Sequence, residues 1–263
     1  MIEIKKKTFS EIFLIYSDKR MIKILLLGAI SGFPWVLIGS SLSLWLKEDG
    51  LSRSTIGWAG LIFSVYAFNY LWAPLIDRVR IPFLTKKIGH RRSWIILMQG
   101  FILLSLILWS ILNPSENLGL VITIGLIIAI ASATQDITVD ALRIEQIGES
   151  EGESMAAGAA MAVVGWWTGY KIGGVLSLFS ADFLEEAGFE NYWQLTFLIL
   201  AILVIIMNIG LTFINEQNSS YRRNTQDEND KLISSKFKKI NFFTKFLSWI
   251  GGTISGPIIS FFK

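Results

Sequence analysis

The stretch 118–147, LGLVITIGLIIAIASATQDITVDALRIEQI, runs through nearly unbroken apolar sequence and then meets Ser132, Thr134, Gln135, Asp136, Asp140 and Arg143. A charge inside a bilayer costs at least ~2.5–3.5 kcal/mol, so such residues are rare and functional by default. Positions 132, 136, 140 and 143 are spaced i, i+4, i+8, i+11 and share one face of a helix, where they form a polar stripe. A helix with that stripe suits the wall of an aqueous pathway.

The rest of the chain fits a membrane setting. Of its 263 residues, 52% are hydrophobic and 17% charged, with mean hydropathy +0.52; soluble domains carry about 25% charged residues. The apolar residues fall in six blocks, near 22–46, 56–76, 93–113, 118–140, 155–180 and 193–214. Each is close to the ~20 residues that a bilayer core demands. The fold class expected is therefore all-α membrane. There is no cysteine, so a thiol nucleophile and a thiolate metal site are excluded; the one histidine, His90, falls in a basic loop, and no zinc site or His-based triad is expected. We expect no enzyme activity, cofactor or metal. The lead-in MIEIKKKTFSEIF has no cleavable-signal pattern.

Short-loop Lys and Arg counts set the orientation. Lys5, Lys6, Lys7, Lys19 and Arg20 precede span one. Arg78, Arg80, Lys86, Lys87, Arg91 and Arg92 follow span two, and seven more basic residues, between Arg222 and Lys245, follow span six. The opposite side carries only Lys47 and Arg53. The N-terminus is thus expected in the cytoplasm, and no nucleic-acid partner is needed to explain the net charge of +3. Four regions are expected: a cytoplasmic arm 1–20, a six-helix bundle 21–215, a charged cytoplasmic linker 216–240, and an apolar tail 241–263. The arm has Phe9, Ile12, Phe13 and Tyr16 on one helical face, which suits an interfacial helix. The tail is broken by Gly251, Gly252, Gly256 and Pro257, so it reads as an interfacial or partial membrane segment rather than a seventh span.

Four constellations stand out. Asp136 is the deeper acid of the stripe and the candidate proton carrier, since burial disfavours a carboxylate's charged form and so eases proton exchange. Asp140 and Arg143 form an i, i+3 pair that is either a boundary ion pair or part of the pathway. Lys171 lies about 200° from Gly169 on its helix, opposite the small-residue seam Gly165-x-x-x-Gly169-x-x-x-Gly173. It reads as a cavity-facing cation or a snorkelling lysine, and the seam as a helix-packing face. Span two presents Tyr66, Asn69 and Tyr70 together. It ends in Pro74, Asp77 and Arg78 ahead of Arg91 and Arg92, where an acid beside a basic cluster can latch and release.

The segments SGFPWVLIGSSLSLWL, STIGWAGLIFSVYAFNYLWAPLIDR, RRSWIILMQ, SATQDITVDALRIE and GYKIGG, in this order, resemble the AmpG-type permeases of the major facilitator superfamily. The resemblance covers roughly residues 24–214 and implies proton-coupled import of anhydro-muropeptides (GlcNAc-anhydromuramyl peptides from wall turnover) across the bacterial inner membrane. A related branch moves acetyl-CoA. The resemblance places Asp136, Asp140 and Arg143 in the family's charged stripe and sets Lys171 where the family has Arg. Asn69 stands where the family usually has Lys. It also implies two six-helix halves, each a pair of inverted three-helix repeats, of which this chain covers one. We therefore expect a half that needs a C-terminal partner or a second copy, or else a non-transporting remnant of a decayed gene.

Overall fold

The computed structural model describes residues 9–147 and 151–216, and all its regular elements are helical. The linker and tail expected over 216–240 and 241–263 lie, beyond Glu216, outside the described residues. A short helix α1 (Phe9–Tyr16) leads in, with Ile12, Phe13 and Tyr16 exposed. Helix α2 (Lys19–Val36) is capped by Asp18, whose carboxylate accepts from the Arg20 backbone N–H at 2.8 Å. It passes through a π-helical turn (Leu37–Ser41) into α3 (Leu42–Glu48). These three pieces make one 30-residue apolar span, Lys19–Glu48.

Span two is not one helix. It runs as α4 (Arg53–Ala59), a 3-10 turn (Gly60–Ser64), α5 (Val65–Phe68), a second 3-10 turn (Asn69–Leu71) and α6 (Ala73–Arg78). Gly57 and Gly60 weaken the first half. Pro74 cannot donate to the carbonyl four residues back, and the chain tightens just before it, with Trp72 N–H bonding Asn69 O at 3.2 Å. Helix α7 (Leu84–Ile88) follows a turn in which Leu84 N–H reaches Pro82 O at 2.7 Å around Phe83, at φ 63°, a strained γ-turn. Three spans follow the expected blocks with shifted ends: α8 (His90–Trp109), α9 (Pro114–Ile147) and, last among the described residues, α11 (Tyr192–Leu211). Between α9 and α11 runs α10 (Gly152–Glu186), which contains the fifth block. Among the described residues four helices are long and apolar enough to cross a membrane: Lys19–Glu48, His90–Trp109, Pro114–Ile147 and Tyr192–Leu211. His90, expected in a loop, is instead the buried first residue of α8, its Nε2 at 2.9 Å from Ile76 O.

The largest helix contact is α2 against α10, and glycines on both helices create it. A Cβ built on Gly165 would sit 2.1 Å from Leu25 O, and one on Gly169 2.1 Å from Ala29 O. On α2, Gly28 and Gly32 would meet Ala162 O at 2.3 Å and Trp166 O at 2.0 Å. In a membrane no apolar driving force brings helices together, so close backbone approach and dispersion must hold them. Helix α9 packs against α8 and α2, and α11 against α8 and α10. At one end Trp45, Trp109, Trp193 and Phe197 pack ring against ring, Trp45 edge to face on Trp109 and Phe197 and the other pairs tilted, with centroids 4.8–5.9 Å apart.

Candidate functional site

A proline sets up the centre of the bundle. Pro34 leaves the Ile30 carbonyl without its helical donor. The Gln135 side-chain amide fills the vacancy at 2.8 Å, and its own oxygen accepts from Gln99 Nε2 at 2.5 Å. Asn208 on α11 reaches Gln99 Oε1 at 3.4 Å. A polar chain therefore crosses α2, α9, α8 and α11 where no water replaces a lost bond. Gln135 is fully buried in this chain and points away from Asp136, the next residue.

Asp136 faces α2 instead. Its carboxylate accepts from Ser31 Oγ at 2.5 Å. Trp35, one turn above Ser31, turns its indole Nε1 toward the same carboxylate short of hydrogen-bond geometry. Tyr66 lies across from them, its ring 4.5 Å from Trp35. Asp136 and Ser132 are the polar neighbours of the Tyr66 phenol, which bonds neither. Trp35 Nε1, Tyr66 Oη and Ser132 Oγ are all buried without a hydrogen-bond partner among the described residues. Asp136 likewise has no cationic partner there; its bonded neighbour is a hydroxyl.

The other stripe residues separate from this group. Asp140 is exposed and pairs with Arg143 at 3.3 Å, as the i, i+3 spacing suggested. Lys171 is exposed on α10 with Nζ 5.9 Å from the Trp167 ring centroid, on the side away from the glycine seam. Asn69 lies in the second 3-10 turn, and Trp72 just beyond it donates to Thr134 Oγ1 at 3.1 Å. The structure thus brings together Asp136 and Tyr66, and leaves Lys171, Asn69 and the Asp140–Arg143 pair apart from them. The sequence offered Trp35 and the span-one serines as an alternative pore lining but did not join them to Asp136; the signal was the i, i+4 pair of Ser31 and Trp35 on span one beside Pro34.

A second cluster closes the cytoplasmic end expected from loop charge. Arg91, nearly buried, bonds Asp77 with Nη1 and reaches Glu145 through Nε at 3.3 Å. Arg92 bonds Thr212 O at 3.4 Å. Glu216 accepts from the backbone N–H of Arg91 at 2.8 Å and of Arg92 at 3.3 Å, capping the positive end of α8. Gly89, at φ 99°, leaves the room: a Cβ there would lie 2.3 Å from Glu216 Oε2. Burial holds the Glu216 carboxyl above the usual glutamate range, against the pull of those N–H donors. Spans two, three, four and six are thereby tied together. The sequence suggested Asp77 with Arg78, Arg91 and Arg92; the structure centres the cluster on Arg91 and adds Glu145 and Glu216. At the neighbouring helix ends Arg20 bridges Asp18 and Glu151, at 2.7 and 2.8 Å, and lowers both carboxyls.

The Major Facilitator Superfamily family model matches residues 24–262. The AmpG 4 protein of Rickettsia felis is 35% identical over 249 residues, which are 95% of this chain and 54% of that protein. The anhydromuropeptide permease of Escherichia coli K12 is 31% identical over 191 residues, 72% of this chain and 37% of the permease. AmpG 3 of Rickettsia prowazekii is 37% identical over 166 residues, 63% of this chain and 39% of that protein. The chain thus spans about half the length of the curated relatives that match it over most of its own. With its apolar helices it is a multi-pass membrane protein, and it belongs to the Major Facilitator Superfamily.

Proposed function

We propose that this bundle forms one wall of a proton-coupled pathway that imports anhydro-muropeptides across the bacterial inner membrane, with its N-terminus in the cytoplasm. The observation that carries the reading is Asp136: a carboxylate within a membrane-spanning helix, held by the Ser31 hydroxyl and lacking a cationic partner among the described residues. Such a group can lose and regain its charge, whereas an ion-paired one is fixed in one state. The substrate class comes from the likeness to the Escherichia coli permease. Alternating access rocks one helical bundle against another around a site at their interface. The Arg91 cluster serves as the cytoplasmic latch of that motion, and Lys171 as a cation that draws an anionic substrate. The second wall is a C-terminal six-helix half or a second copy of this bundle.

The test is uptake of labelled anhydro-muropeptide in cells that lack their own permease and express this chain with a second six-helix bundle. We expect uptake that a protonophore abolishes. Uptake indifferent to the protonophore contradicts the coupling, and no uptake contradicts the substrate class.

A further inference from the structure

Aromatic rings gather on one side of the bundle at a depth that interfacial anchoring does not explain. Trp35 lies midway along Lys19–Glu48, and Trp166, Trp167 and Tyr170 midway along α10, whereas Trp and Tyr normally collect at the membrane–water boundary. Trp35 is the hub, with ring centroids 5.0 Å from Phe63, 4.5 Å from Tyr66 and 5.6 Å from Trp166. Trp166 and Tyr170 lie 5.6 Å apart with planes within 6° of parallel. The rings are only partly covered, and Trp167 is 50% exposed.

Polar atoms edge this wall. Trp35 Nε1, Tyr66 Oη and Ser132 Oγ are buried without partners among the described residues, Asp136 lies beside them, and Ser40 Oγ meets Tyr170 Oη at 3.4 Å. An apolar surface facing lipid needs none of these, and each unpaired group in hydrocarbon is costly. Ring faces edged by an indole N–H, hydroxyls and a carboxylate complement a pyranose. Its C–H face packs on aromatic rings, and its rim of hydroxyl and acetamido groups needs donors and acceptors.

We propose that this wall is the subsite for the sugar rings of the substrate. Trp166 and Tyr170 form the platform, and Trp35, Tyr66 and Asp136 form its polar edge, reached as the helices around Pro34 and the π-turn shift. The proposal rests on the muropeptide reading and deepens it, because it assigns the glycan rather than the peptide to this face.

The experiment measures binding to the full chain in lipid nanodiscs, with two probes: radiolabelled GlcNAc-anhydromuramyl disaccharide without its peptide, and the peptide alone. The disaccharide should bind the unaltered chain. Trp166→Leu should weaken it about tenfold, the scale of one lost stacking contact, and Trp166→Phe, which keeps a ring, should restore most of it. Peptide binding should be the same in all three. If Trp166→Leu fails to elute as the folded protein, Tyr170→Leu takes its place. Failure of the disaccharide to bind the unaltered chain overturns the subsite, as does disaccharide binding indifferent to the loss of the ring. Neither result touches the transport reading, which fails separately if cells do not take up the whole muropeptide.

Discussion

Two neighbouring residues of α9 have opposite surroundings. Gln135 fills the carbonyl that Pro34 leaves open and is locked by Gln99, while Asp136 meets one hydroxyl. Sequence spacing separated 136 from 135 by about 100° of helix, yet it could not show that Gln135 would meet Ile30, because that contact joins residues 105 apart in the chain. Asp136→Asn keeps an acceptor for Ser31 and removes the titrating proton. In the reassembled transporter it should abolish uphill accumulation while leaving substrate counterflow, read as exchange of labelled for unlabelled substrate across vesicles. Accumulation against a gradient by the Asn variant rules Asp136 out as the carrier.

Glu216 gives a residue-scale prediction outside the membrane. Its carboxyl is raised by burial, so in the window above the ordinary glutamate pKa of 4.5 the folded chain holds more protons than the unfolded one. Stability contributed by this group is therefore present at low pH and lost as pH rises through its raised pKa. Asp18 and Glu151, lowered by Arg20, act in the opposite sense and lose their contribution as pH falls. Glu216→Gln keeps an acceptor for the Arg91 N–H and should flatten the fall of Tm within that window. An unchanged Tm profile in the variant would show that Glu216 is not the group responsible.

At the scale of elements, apolar block length was legible and local helix type was not. Spans one, three, four and six were readable because their hydrocarbon runs match the bilayer. Span two was expected as one helix and is a series of α and 3-10 turns, because Gly60, Asn69 and Pro74 act on it together with its packing against α9. The small-residue seam of α10 was readable as a packing face. That Gly28 and Gly32 of α2 complete it needed the fold. Gly169→Leu would drive a side chain into Ala29 backbone, which cannot yield, and should cost about 3 kcal/mol or more by overpacking. Gly174, five residues on with nothing within 4 Å of its missing Cβ, should accept Ala without loss. Fluorescence-detected size exclusion after a heat ramp compares the two. Equal thermal tolerance would mean that the α2–α10 seam does not hold the bundle together.

For the whole molecule, the basic residues at one end and the open polar face on one side set what must be measured. The chain has no cysteine, so Lys86→Cys and Ser115→Cys each introduce a single label site, and both positions are exposed. A membrane-impermeant maleimide should modify Ser115→Cys in intact cells and reach Lys86→Cys only after lysis. The reverse pattern would invert the orientation read from loop charge.

The open face decides more. Asp140, Trp167 and Lys171 are exposed on a bundle that spans about half the length of its relatives, and one wall cannot occlude a substrate. The most direct measurement is anhydro-muropeptide accumulation in proteoliposomes under an imposed proton gradient, with the purified 263-residue chain alone and reassembled with a second six-helix bundle. The account predicts no accumulation by the chain alone and gradient-driven accumulation by the reassembled pair. Robust accumulation by the monomeric chain alone would contradict it.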